Sequence, residues 1–113
     1  MSHRDARIGL AKYREVVAGQ PELDEEWFAE LIPGLLAKAP TAASDLAYAC
    51  MPITLRLVEA YAAGRDDDAI YSCINEANLA VKKAIKSFTG RTYAEFLAHV
   101  KQVVLERLET SGI

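Results

Sequence analysis

Glu95, His99 and Glu106 come nearest to a metal-binding pattern. Steps of four and seven residues put them on one face of a helical stretch, and an imidazole with two carboxylates is a donor set for a divalent cation. The step from His99 to Glu106 spans two helical turns, so one helix cannot close such a site. No HExxH, no ExxH and no cysteine cluster completes it. These residues read instead as a solvated face on which Glu95 and His99 pair one turn apart, and no metal or other cofactor is expected.

Nucleophilic chemistry finds no better footing. Cys50 lies in an apolar run and Cys73 on a helix flank, surroundings that raise a thiol pKa and leave it inert. The two histidines are His3, in an N-terminal tail, and His99, on an outer face, so neither thiol has a base beside it. A disulfide is not expected either. If the chain turns back at Gly64-Arg65, Cys50 and Cys73 are offset by about 10 Å along the helix axes, beyond the ~7 Å reach of a cystine. Free thiols match a reducing compartment. The six glycines are dispersed and form no phosphate-cradling loop. The chain therefore reads as a non-enzyme.

At 113 residues, with 51% hydrophobic residues, the chain is long enough to bury a core without metals or cross-links. Its formal net charge of −3 favours solubility and gives no bulk attraction to a polyanion. The opening MSHRDAR has no apolar core of a signal peptide, and the longest apolar run is about half of the ~20 residues that a membrane span needs. A cytoplasmic protein without a membrane partner is expected.

The elements that position these residues are helical throughout. Ser44 to Gly64 is the most apolar stretch and reads as a helix buried on most of its circumference, with Asp45, Pro52, Arg56 and Glu59 on its one polar stripe. Asp5 to Ala18 forms a first helix with Ala6, Leu10, Tyr13 and Val17 inward, and with Arg4, Arg7 and the apolar Ile8 on its outer side. Asp24 caps a second helix that opens on acids and carries Trp27, Phe28, Leu31, Ile32, Leu35 and Leu36 at helical spacing. Kinks or breaks are expected near Pro33 and Pro52, because each proline removes one amide donor. Asp67 to Phe88 has the cleanest period, with Ile70, Ile74, Ala77, Val81, Ala84 and Phe88 inward and Leu79 on a polar outer face. Thr92-Tyr-Ala-Glu95 is a capping box that opens a last helix with Leu97, Val100, Val104 and Leu108 inward. The expected fold is one all-α domain over 1–113, a compact bundle of about five helices with a flexible tail at 1–4. Within it, Asn78 sits at the edge of an apolar face, where a semi-buried asparagine fixes helix register.

The stretch from Ala84 through Phe88-Thr-Gly-Arg-Thr to Glu95-Phe-Leu97 resembles the end of the second helix-turn-helix of AraC-type regulators. In that family a helix, a Thr-Gly turn and a Thr-x-x-Glu-Phe-Leu start follow one another. The likeness spans about 25 of the 113 residues. It implies an alternative in which residues 67–109 form a DNA-binding unit, with Lys82, Lys83, Lys86 and Arg91 as the DNA contacts.

The leading expectation is a non-catalytic helical module that works by protein association, as a homodimer or as a regulatory, inhibitory or accessory subunit of a larger complex. Trp27, Phe28, Leu79 and Asn75 are its expected partner-binding residues. Aromatic anchors beside charge, and apolar residues on polar faces, are the composition of a docking surface.

Overall fold

A computed structural model describes residues 3–111 of the chain, and the side chains of residues 9–111. The expected tail at 1–4 and the inward Ala6 and outward Arg4, Arg7 and Ile8 fall outside the described side chains. Six helices follow one another: α1 His3–Ala18, α2 Glu25–Leu36, α3 Ala42–Ala49, α4 Met51–Tyr61, α5 Asp67–Ser87 and α6 Tyr93–Ser111. The described residues contain no strand. The fold is an all-α bundle.

The hub is α5, which packs against α1, α3, α4 and α6, and not the apolar stretch from Ser44 to Gly64. Small side chains explain why: Ala77, Ala80 and Ala84 are buried along α5 between Cys73, Ile74, Val81 and Ile85, so neighbouring helices approach it from several directions. The Ser44–Gly64 stretch is shorter in effect, because it divides at Cys50 into α3 and α4.

That division carries the kink expected at Pro52. Cys50 keeps helical dihedrals (φ −83°, ψ −7°), so the chain bends without leaving helical geometry, and Pro52 sits in the first turn of α4, where proline is best tolerated. Pro52 is buried rather than exposed on a polar stripe. The Tyr48 carbonyl, four residues earlier, accepts a hydrogen bond from Gln20 Nε2 instead of facing only water. Thr54, the buried polar residue of this region, returns its hydroxyl to the Cys50 carbonyl at 2.8 Å, a bond that favours helix bending.

Pro33 behaves differently, for it lies inside an unbroken α2. Ala29 and Pro33 are both exposed, so the carbonyl left without an amide is solvated and the helix continues. It ends after Leu36 in a Schellman turn. Lys38 N–H donates to the Leu35 carbonyl at 3.1 Å and Ala39 N–H to the Gly34 carbonyl at 2.9 Å, with Lys38 in the left-handed region at φ 57°.

Caps set the other boundaries. Asp24 accepts from Trp27 N–H at 2.8 Å and Asp66 from Ala69 N–H at 2.9 Å. In the capping box Glu95 N–H donates to Thr92 Oγ1 at 3.1 Å, and Thr92 N–H donates to Glu95 Oε1 at 3.0 Å. Phe96, not Leu97, is the fully buried residue at the start of α6, followed by Val100, Val104 and Leu108 at helical spacing. Phe96 stacks in a cluster with Phe28 and Phe88, at ring-centroid distances of 5.1 and 5.2 Å, and Tyr93 joins it at 5.6 Å from Phe28.

Candidate docking face

Glu95, His99 and Glu106 have structural occupations. Glu95 is held by the capping box and also accepts from Arg91 N–H at 3.2 Å; these backbone bonds, helped by the Thr92 hydroxyl, lower its pKa. His99 Nε2 lies 2.9 Å from Ser87 Oγ across the α5–α6 turn. Glu106 pairs along its own helix with Gln102 at 3.1 Å. Among the described residues no three His, Cys, Asp or Glu side chains converge closely enough to hold a metal ion. Cys50 and Cys73 are free and buried; burial pushes the Cys50 thiol up to about 12 and raises Cys73 as well.

The exposed apolar surface has a definite location. Among the described residues the large exposed hydrophobics are Val16, Leu36, Tyr48 and Leu79, and all of them border the outer face of α5. Leu79 is on that face, 52% exposed, one helical turn from Asn75, Lys82 and Lys83. Val16 lines a depression with Lys12, Tyr13, Asn75 and Asn78. On the other flank a groove runs between α3 and α5. Tyr48 and Met51 stand at one end beside Asn78 and Lys82. Ala43, Ala47 and Ile85 floor its middle between Lys82 and Lys86. Leu36, Lys38 and Pro40 close the other end.

Asn78 therefore separates two depressions, half-buried where α1 meets α5. It faces Tyr13, whose pKa is raised by burial and partly drawn back by the Asn78 side chain.

Charge follows the same division. Arg14 pairs with Glu59 at 2.8 Å and Arg107 with Glu76 at 2.6 Å, while Arg56 pairs with Glu22. Among the described residues no ion pair engages Lys82, Lys83 or Lys86, all of them exposed on α5. The face is thus an apolar groove whose α5 rim is cationic, on a chain whose formal net charge is −3.

Of the residues expected to bind a partner, Leu79 and Asn75 lie on this face and are exposed. Phe28 does not: it is 3% exposed and belongs to the aromatic cluster, because α2 turns that residue toward Phe88 and Phe96. Trp27 is half-buried, packed against the edge of the core, and not on the α5 face. Tyr48 and Leu36 border this face too and are not among the residues expected to bind a partner. Both had a signal: Tyr48 lies one turn from Asp45 on its helix, and Leu36 falls at helical spacing from Glu26, Ala29, Glu30 and Pro33 on the exposed side of α2.

The lysines named for DNA contact are exposed, and so is Arg91, in the α5–α6 connection. The helices around them, however, run side by side in opposite directions over their lengths, joined at one end by Ser87 and His99 and toward the other by Arg107 and Glu76. Lys82, Lys83, Lys86 and Arg91 are thus exposed on and beside an antiparallel helix pair. Among the described residues no helix is long and apolar enough to cross a membrane. Compared with protein-family models, curated proteins and solved structures, the chain matches none of them.

Proposed function

We propose that this chain is a non-catalytic protein-association module of the cytoplasm, a small regulatory, inhibitory or accessory subunit that docks through the outer face of α5. The observation that carries the reading is the convergence of Val16, Tyr48, Leu79 and Leu36 on the borders of one helix. Scattered single apolar residues need no explanation, but clustered ones rimmed by polar groups mark interaction sites. Two buried thiols with raised pKa values agree with a reducing compartment.

The test is affinity capture with wild-type chain and with Leu79→Glu and Tyr48→Glu, each checked for unchanged helical circular dichroism. Both substitutions should abolish recovery of a partner that the wild type retains. Retention of every partner by both variants would remove the α5 face from the function.

A further inference from the structure

We propose that the α3–α5 groove receives the outer face of α2 from a second copy of this chain, each copy laying its α2 on the other's groove about a two-fold axis near Leu36. This rests on the docking reading above and names the occupant. The outer face of α2 is the chemical complement of the groove. Glu26, Ala29, Glu30, Pro33 and Leu36 are all exposed, and their spacing places them on one side of the helix: a strip of small and apolar side chains flanked by acids. The groove is the reverse, an apolar floor of Ala43, Ala47 and Ile85 beside Lys82 and Lys86 on its α5 wall.

The charges match in number and spacing. Glu26 and Glu30 are four residues apart on α2, as Lys82 and Lys86 are on α5, so each pair spans about 6 Å along its helix. Among the described residues neither pair makes an ion pair within the chain, whereas Arg14, Arg56 and Arg107 all do. The two halves also adjoin: Leu36, at the end of α2, lines the groove beside Ile85 and Lys86. Complementary halves meeting on one surface are what an isologous two-fold contact requires, since each patch then faces its complement twice.

Light scattering after size exclusion tests this with two charge-reversed chains, Lys82→Glu/Lys86→Glu and Glu26→Lys/Glu30→Lys, each checked for helical content. The wild type should have the mass of a dimer and shift toward monomer as salt is raised; each reversed chain alone should be monomeric. An equimolar mixture should regain the dimer mass, because one contact of the mixed pair is native and the other is reversed on both sides. A monomeric wild type at its solubility limit, a dimer that survives both reversals, or a mixture that stays monomeric would each overturn the proposal. A monomer that still loses its captured partner on Leu79→Glu leaves the docking reading standing; a monomer indifferent to Leu79→Glu ends both.

Discussion

Gln20 donates its side-chain amide to the Tyr48 carbonyl, the acceptor that Pro52 cannot serve because it has no N–H. The bond crosses from the end of α1 to the end of α3 and stands in for a helical hydrogen bond at the bend. Gln20→Ala should destabilise the fold by about 1 kcal/mol. Pro52→Ala supplies the missing amide, so in that background the same Gln20 substitution should cost less. Urea denaturation of the four chains measures the coupling; strictly additive losses would show that the two residues act separately.

Cys50 makes stability depend on alkaline pH. Its folded pKa, about 12, is raised above the ordinary 9.0 by burial, so the folded state holds the proton more tightly than the unfolded state. This contribution is complete below pH 9 and is lost as pH rises from about 9 to about 12, at up to roughly 1.4 kcal/mol per pH unit. Cys50→Ala lowers stability at neutral pH by leaving a cavity, yet its alkaline decline should be shallower than that of the wild type. Parallel curves from pH 8 to 11 would remove Cys50 as the cause.

Lys38 holds a left-handed conformation that lysine adopts at a cost, at the position where helices most often place glycine. Lys38→Gly should raise stability by roughly 0.5 kcal/mol, the steric relief of about 1–2 kcal/mol outweighing the added freedom of the unfolded chain. A melting temperature unchanged or lower in Lys38→Gly counts against strain at this turn.

Thr92→Ala removes one half of the box that starts α6 and should cost about 1 kcal/mol. The Glu95 pKa, lowered first by the backbone amides of Thr92 and Arg91, should remain below its ordinary value in this variant, because those amides are untouched. Carboxyl titration by NMR reads this directly. A Glu95 that returns to ordinary titration would make the threonine hydroxyl, and not the amides, the principal partner.

Much of the architecture is legible from spacing alone. Asp24, Asp66 and the Thr92–Glu95 box place three helix starts, because a cap is a local device whose partners lie within one turn. The inward Ile74, Ala77, Val81 and Ala84 follow from period for the same reason. What period cannot rank is the importance of one apolar stretch against another. Ser44–Gly64 is the greasier, yet α5 is the hub, since its alanines admit neighbours on several sides. Nor can it choose between adjacent residues: Phe28 and not Trp27, and Phe96 and not Leu97, are buried deepest, a choice made by the aromatic cluster they share. The proposed docking face is half legible, through Leu79 and Asn75 on α5; its groove is not, because α3 supplies one wall and no local pattern brings α3 to α5.

The close antiparallel seam between α5 and α6 bears on the order in which the molecule assembles. Only five residues separate these long helices, so bringing them together closes a short loop at little entropic cost, and their contact is the most extensive in the bundle. Phe28 enters the aromatic cluster from far away in the chain, against Phe88 and Phe96 already gathered at the turn. Helix α2 joins that seam from a distant part of the chain, through Phe28, and its amides should exchange with deuterium before those of the α5–α6 pair.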